Sequence, residues 1–216
     1  MKDNKNEDKN PNTLRDFTCN LILKVKMEEI KNLPYSSIVG ALQYQCEIRP
    51  NKLAILYPDP KTNSTEYASL TFKQFNSITD HLASKLQANF PSKESITCAI
   101  LAIGGIEYLL FQYALLKIEN VTMFPISPKN SQSAIEFLVK ETKTEFLLTT
   151  SLYLPVIHRI KQQNNEFQTL QVLLFDSDLF QIKGLITNKD SIESNSMKQI
   201  TNNKDKLNKV VMIFHR

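Results

Sequence analysis

From residue 70 onward, short runs of apolar residues alternate with stretches whose apolar residues recur every three or four positions. The runs have the length and continuity of strands buried on both faces, whereas the periodic stretches have the period of helices. The predicted strands are 96–102, 121–126, 145–149 and 170–175, and the predicted helices between them are 106–118, one capped by Ser131 or Ser133, and 152–161 with Pro155 in its first turn. This alternation predicts parallel strands joined by right-handed crossovers. The fold class is therefore α/β, a mostly parallel sheet flanked by helices.

A smaller pattern precedes this sheet. Residues 36–47 predict a short helix, and two short strands at 53–57 and 66–71 flank a turn rich in proline and asparagine, which predicts a β-hairpin. Thr71 and Gln74 have the spacing of a capping box at the start of a long amphipathic helix. That helix is expected to end near Phe90 and Pro91 because proline interrupts a helix.

Three polar segments complete the organisation. Residues 1–33 are mostly polar and charged and predict a flexible N-terminal leader. Residues 34–216 are expected to form one domain, within which 176–208 predict a long polar loop that includes at most one helical turn. A last apolar run at 210–214 predicts one more strand.

Composition and charge narrow the function classes. The chain has 216 residues, of which 42% are hydrophobic and 22% charged, as in ordinary soluble domains. Its net charge of +4 is scattered along the chain, whereas nucleic-acid binders concentrate their cations on one face, so no nucleic-acid partner is expected. The three cysteines form no CxxC pair, which predicts reduced thiols in the cytoplasm. The three histidines show no metal-ligand spacing.

Residues 96–116 allow a second interpretation. Their only charge is Glu107, and their length meets the roughly 20 residues that a transmembrane helix needs. Gly104 and Gly105 lie in the middle of this segment, and a carboxylate near the bilayer centre is costly. A single-pass membrane protein through 96–116 therefore remains the less favoured alternative to a strand, a Gly-Gly turn and a buried helix, and no membrane span is expected.

The Gly104–Gly105 turn is the first candidate for ligand chemistry, since doubly wound sheets bind ligands at the carboxyl ends of their strands. A dinucleotide fingerprint would need GxGxxG at this position, and the third glycine is absent. The chain also contains neither the Walker pattern nor GxSxG. The favoured interpretation is a tight strand-to-helix turn, not an NAD site.

A few charged residues are weaker candidates. Asp176 and Asp178 follow the strand at 170–175, where carboxylates can hold a metal or a ribose but more commonly belong to caps and loops. Glu107 is expected to complement a helix dipole, and His158 and Arg159 are expected on a solvent-exposed helix face. None of these residues is assigned a catalytic, cofactor-binding or metal-binding role.

Several segments, in order, resemble signatures of the adenylate-forming (AMP-binding) superfamily, which includes acyl-CoA synthetases, luciferases and nonribosomal-peptide adenylation domains. LTFKQF at 70–75 is similar to the family's L-T-Y-x-E-L, and Ala83 and Leu86 continue its helix pattern. Further matches lie upstream, at Arg49, Pro50 and Ala54, and downstream, at Leu116, Lys117, Pro125, Pro128 and the segment 131–150. The chain departs from the pattern at Glu119 and Asn120, where the family usually has glycine, and at Ser127.

The resemblance covers residues 34–216 and implies the N-terminal part of the adenylate-forming fold. It implies a parent reaction in which ATP activates a carboxylic acid as an acyl-adenylate, followed by thioester formation on coenzyme A or a carrier-protein pantetheine. ATP and magnesium would be the cofactors of that parent ligase. The acid itself is not specified by the sequence.

The family binds ATP phosphates with a Ser/Thr/Gly-rich loop after a short apolar strand. Here the run at 210–214 matches that strand, His215 matches the residue before the loop in some members, and Arg216 stands where threonine would begin it. The loop, the later adenine and ribose motifs and the lid lysine do not occur in the 216 residues. The expectation is an N-terminal ligase fragment, inactive alone, that can associate with a complementary chain segment; the alternative is a non-catalytic α/β interaction or remnant module.

Overall fold

A computed structural model describes residue 35 and residues 37–59, 66–177 and 180–187 of the chain. The described elements belong to a compact unit that begins at residue 36. The predicted leader at 1–33 and the predicted strand at 210–214, with His215 and Arg216, lie outside the described residues. The elements, in order, are α1 (Ile38–Ile48), β1 (Leu53–Pro58), β2 (Tyr67–Thr71), α2 (Phe72–Gln87), β3 (Ile96–Leu101), α3 (Ile106–Lys117), β4 (Val121–Ile126), α4 (Gln132–Glu141), β5 (Phe146–Thr149), α5 (Leu154–Gln163), β6 (Gln171–Leu174) and α6 (Ile182–Thr187), with single 3₁₀ turns at Ser151–Tyr153 and Asn165–Phe167.

Four parallel strands form the main sheet in the order β4-β3-β5-β6. At the carboxyl end of β3, Leu101 pairs with Ile126 of β4 on one side and with Thr149 of β5 on the other. Along the chain, β4 is added on one side of β3, and β5 and β6 are then added on the other side. The point where it reverses lies between β3 and β5, and the predicted parallel α/β architecture is confirmed.

Helices cover both faces of this sheet. Cys98 and Ile100 of β3 pack into one core together with the hairpin and helices α1, α2 and α3, whereas Ala99 and Leu101 pack into a second core beneath α4 and α5. Successive side chains of a strand point to opposite faces, so both faces of β3 must be apolar. This double burial explains why the strand appears in the sequence as a continuous apolar run.

Helix α1, which precedes the hairpin, and helix α2, which follows it, both begin with a side-chain cap. The Ser37 side chain accepts a hydrogen bond from the Gly40 amide and begins α1. Thr71 and Gln74 form the predicted capping box, in which each side chain accepts a hydrogen bond from the other residue's backbone amide. Helix α2 ends at Gln87, three residues before the predicted Phe90, because the chain already turns at 88–90.

The segment expected to be a polar loop with at most one helical turn also contributes side chains to the core, which was not predicted. Within 176–208, the described residues include the six-residue helix α6, and Phe180 and Ile182 are buried in the main core. The Phe111 ring of α3 lies 4.9 Å from the ring of Phe175 and 5.1 Å from that of Phe180. A few apolar side chains therefore pack this mostly polar segment against α3.

Residues 96–116 form strand β3, a turn and all but the last residue of helix α3, as the favoured interpretation predicts. Helix α3 contains 12 residues. Within the described ranges, no helix is long and apolar enough to cross a membrane.

The capping box yields a stability prediction. Thr71→Ala removes the oxygen that accepts from the Gln74 amide at 3.2 Å, and we expect it to lower the free energy of unfolding by about 1 kcal/mol. Urea denaturation followed by circular dichroism measures this loss. Thr71→Ser is the control because it retains the hydroxyl; a loss in the serine variant equal to that in the alanine variant would contradict the capping role.

Candidate functional site

The candidate site lies at the carboxyl edge of the main sheet, between β3 and β5. Sheets of this kind bind ligands outside the carboxyl ends of their strands, where the strand order reverses. Here that place is occupied by the ends of β3 and β5 at Leu101 and Thr149 and by the turns that follow them. We call this region the carboxyl edge.

The turn at Gly104–Gly105 is exposed and leads directly into α3, as predicted. A Cβ atom on either glycine would meet no atom within 4 Å, and Gly105 has extended backbone, so neither glycine is required for steric reasons. No side chain caps the amino end of α3. Its first-turn amides therefore lie at an open, positively polarised helix end beside the sheet.

Three charged groups lie near this turn. Half burial of Glu107 in α3 raises its pKa above the ordinary carboxyl value, Lys183 of α6 opposes that rise and Asp176 adds to it. Glu107 was expected to complement the helix dipole, and it is the acidic residue of the first turn of α3. Lys183 was missed by sequence reasoning because it lies in the segment expected to be a loop.

Hydrogen bonds tie neighbouring strand ends together at the carboxyl edge. The Thr149 hydroxyl donates to the Leu101 carbonyl at 2.6 Å, joining β5 to β3. Asp176, after β6, accepts from the Ser151 amide at 3.0 and 3.1 Å through its two oxygens and also from the Ser151 hydroxyl. Asp176 thus acts as a loop acid that positions the turn after β5; its predicted companion Asp178 lies outside the described residues.

The other sequence candidates do not converge on this edge. His158 and Arg159 are exposed on α5, as expected. The part of the chain that the structure describes contains no group of three or more His, Cys, Asp or Glu side chains that could hold a metal ion. A cleft of about 610 Å³ lies instead by the amino ends of β5 and β6, lined by residues that include Phe146 and Gln171.

The surroundings of the two described cysteines keep their thiols protonated and therefore unreactive. Cys98 is fully buried in β3, and burial raises the pKa of its thiol to about 12. Burial also raises the pKa of Cys46 to about 11, and the Cys46 Sγ donates to the Phe72 carbonyl at 3.2 Å. Because the thiolate is the nucleophile, neither residue has nucleophilic character near neutral pH.

A buried lysine forms the most extensive polar contact of the described core. The Nζ of Lys117, at the end of α3, donates to Asp80 Oδ1 at 2.7 Å, to Thr79 Oγ1 at 2.6 Å and to Asn76 Oδ1 at 2.8 Å, all three on α2. The Lys117 side chain is only 2% exposed and that of Asp80 13%. Burial lowers the pKa of Lys117, and Asp80 partly restores it.

Residues 42–215 match the family of AMP-binding enzymes, and the chain belongs to that family. Among curated proteins, a subunit of mycosubtilin synthase from Bacillus subtilis is 29% identical over 115 residues, which are 53% of this chain and 4% of that protein. The chain therefore spans only a small fraction of this relative's length.

Solved structures show the same fold. A long-chain-fatty-acid-CoA ligase from Archaeoglobus fulgidus matches with a TM-score of 0.60 and 18% identity over 78% of this chain and 32% of the ligase. The N-terminal domain of FACL13 from Mycobacterium tuberculosis matches with a TM-score of 0.55 and 18% identity, over 73% and 37%. O-succinylbenzoate coenzyme A synthetase from Bacillus subtilis, solved with ATP and a magnesium ion, matches with a TM-score of 0.51 and 21% identity, over 65% and 33%. The described fold is that of the N-terminal part of adenylate-forming enzymes.

Substitution of Asp80 and substitution of Lys117 are expected to lower the free energy of unfolding by unequal amounts. Asp80→Asn leaves a buried ammonium without its counter-charge and is expected to cost about 3–5 kcal/mol of unfolding free energy. Lys117→Met removes the buried charge and leaves a carboxylate that water reaches, so its cost should be smaller, less than about 2 kcal/mol. Chemical denaturation of both variants measures the difference.

Lys93→Met is the control for this comparison. The Lys93–Glu145 pair has side chains that are 52% and 34% exposed, and such pairs contribute about 0–1 kcal/mol. Equal losses for Asp80→Asn and Lys93→Met would show that Lys117 does not depend on Asp80.

Because burial raises the pKa of the Cys98 thiol, we expect the free energy of unfolding to fall at alkaline pH. Between pH 9 and 12 the unfolded thiol ionises while the folded thiol, with its pKa raised to about 12, keeps its proton. The folded state then binds more protons, so stability falls as pH rises, by at most about 1.4 kcal/mol per pH unit for this thiol. Denaturation at pH 8, 9 and 10.5 should show a shallower decline for Cys98→Ala than for the unsubstituted chain, and identical slopes would refute the assignment.

Proposed function

We propose that the chain supplies the N-terminal subdomain of a ligase that activates a carboxylic acid with ATP and passes the acyl group to the thiol of coenzyme A or of a carrier-protein pantetheine. The observation that carries this proposal is the family match over 42–215. The likeness of the described fold to a solved long-chain-fatty-acid-CoA ligase, with a TM-score of 0.60, supports it.

ATP and magnesium are the cofactors of the proposed whole ligase. Acyl-adenylate formation places negative charge on the phosphates that are displaced, and proteins stabilise such charge with backbone amides, cations and a metal ion. The 216 residues contain four glycines and no Ser/Thr/Gly-rich loop. We therefore infer that the chain alone does not catalyse adenylation.

The described residues are suited to a positioning role. At the carboxyl edge, Thr149 and Ser151 donate their hydroxyls to Leu101 and Asp176, so these contacts fix the turns after the strands. The uncapped start of α3 and Glu107 beside it give this edge its polar character. The edge is the described surface on which the general rule for doubly wound sheets places a ligand.

A non-catalytic interaction module remains the second candidate function. The observation that favours it is a group of large apolar side chains exposed on the hairpin, Leu53, Leu56 and Tyr67. Exposed apolar groups of this kind mark surfaces for protein contacts. Both candidates share the fold and differ in whether the chain works as part of a ligase.

A pyrophosphate-exchange assay tests the proposed inactivity of the isolated chain. The purified 216-residue protein, incubated with ATP, magnesium, labelled pyrophosphate and a broad panel of carboxylic acids, should give no exchange above the background without acid, because its sequence contains no Ser/Thr/Gly-rich loop to bind the triphosphate. A complete acyl-CoA ligase assayed in parallel is the positive control. Carboxylate-dependent exchange by the chain alone would refute this part of the proposal.

The coding sequence beyond codon 216 separates the two candidate functions. An in-frame Ser/Thr/Gly-rich loop there would support the ligase. A stop codon or an unrelated domain, confirmed in the transcript, would favour the interaction module instead.

A further inference from the structure

The cleft of about 610 Å³ at the amino ends of β5 and β6 is lined by residues that include Lys143, Phe146 and Gln171, and we call it the amino-edge cleft. Three connections of the fold form it: the chain between α2 and β3, the turn between α4 and β5, and the turn that leads into β6. Its volume falls within the roughly 300–1,000 Å³ that small-molecule sites occupy. Because β5 and β6 are parallel, this cleft and the carboxyl edge lie at opposite ends of the same strands.

Buried apolar side chains form the floor of the amino-edge cleft. They come from the last turn of α4, from the start of β5 and from the chain before β6, and they are Val139, Phe146, Phe167 and Leu170. The exposed side chains of Thr169 and Gln171 contribute polar groups to the lining. An apolar floor with a small number of polar groups is the usual composition of a small-molecule site.

The charged side chains of the cleft leave one positive charge uncompensated. Lys140 and Glu166, which both line the cleft, form an ion pair in which Lys140 Nζ lies 2.8 Å from Glu166 Oε2. Glu145, the other acidic residue of the lining, pairs with Lys93. Lys143 belongs to none of the ion pairs that the described residues form with one another. Its ammonium group is therefore available to a bound anion.

The backbone of Lys143 is unusual for a lysine. Its φ of 50° is in the left-handed region, which glycine or asparagine ordinarily occupies after the end of a helix. The Thr144 amide donates to the Val139 carbonyl and the Lys143 amide to the Lys140 carbonyl, both at 3.0 Å, so α4 ends in a Schellman motif. Strained positions of this kind are common at functional sites, and here the strained residue is the one that carries the uncompensated charge.

We propose that the amino-edge cleft binds a small organic anion, whose apolar body packs on the buried floor and whose carboxylate or phosphate group binds the Lys143 ammonium. Both acidic side chains of the lining already have a lysine partner, so their repulsion of a bound anion is reduced. The proposal is independent of the proposed ligase, because it requires neither ATP nor further polypeptide.

Three variants separate a role in binding from a general effect of charge. Lys143→Asn removes the ammonium, and asparagine tolerates the left-handed backbone, so the turn should still fold. Lys143→Arg retains the positive charge. Lys73→Asn is the matched control, since Lys73 is exposed in the first turn of α2, whereas Asn89, which lines the cleft, follows the other end of this 16-residue helix. That helix is about 24 Å long at roughly 1.5 Å per residue.

A titration followed by NMR tests the proposal. The ¹⁵N-labelled 216-residue protein is titrated with 3-phenylpropionate, 2-phenylethyl phosphate, neutral 3-phenylpropanamide and inorganic phosphate. We expect at least one of the two organic anions to bind saturably with a dissociation constant of about 1 mM or tighter, with the largest amide shifts at Thr144 and Gln171. The tighter of the two identifies the preferred anionic group. The amide and inorganic phosphate each lack one half of the recognised chemistry and should bind at least about five-fold more weakly.

The variants are titrated with the same organic anion, after circular dichroism confirms their fold. Lys143→Asn should raise the dissociation constant about five-fold or more, whereas Lys143→Arg and Lys73→Asn should change it less than about two-fold. Absence of saturable binding by both organic anions, or equal binding of 3-phenylpropanamide, would overturn the inference. Equal effects of Lys143→Asn and Lys73→Asn would assign Lys143 to the end of α4 alone. Shifts centred on Thr149 and Ser151 would place the anion at the carboxyl edge and refute the amino-edge site.

Discussion

The contact between the Lys117 ammonium and α2 constrains how the two helices that carry both sheets lie against each other. One buried cation joins the end of α3 to Asn76, Thr79 and Asp80, so the two helices cannot slide past each other without exposing a charge to an apolar core. Moving such a charge out of reach of its partners is costly. The hairpin is fixed to α2, and the main sheet lies on α3, so the relative position of both sheets depends on this contact.

The same helix connects that contact to the carboxyl edge. Helix α3 begins at Ile106, directly after the Gly104–Gly105 turn, and ends at Lys117. Its 12 residues span about 18 Å at roughly 1.5 Å per residue. Fixing its far end therefore also fixes the open helix end, Glu107 and the turn after β3. The rigid scaffold positions the edge, while the edge itself contributes few packed side chains.

Much of the fold could be predicted from the sequence because burial on both faces leaves a direct signature. Strand β3 is a continuous apolar run, and the capping-box spacing of Thr71 and Gln74 predicts the start of α2. The burial of Lys117 could not be predicted, since a lysine in the last turn of a helix ordinarily complements the helix dipole at the surface. Lys183 was also missed, because α6 depends on the contacts that Phe180 makes with the distant Phe111.

The described fold combines a parallel sheet that is covered on both faces with an antiparallel hairpin that is covered on one. The four parallel strands are covered on both faces, as parallel sheets require. The hairpin is antiparallel, and an antiparallel sheet can leave one face open to water. Ile103 and Leu152, next to the ends of β3 and β5, are 63% and 64% exposed. Open apolar groups therefore occur both on the hairpin and at the carboxyl edge. The hairpin packs on α2, which Lys117 joins to α3, and α3 begins at the turn after β3. These two helices therefore set the position of the hairpin relative to the carboxyl edge.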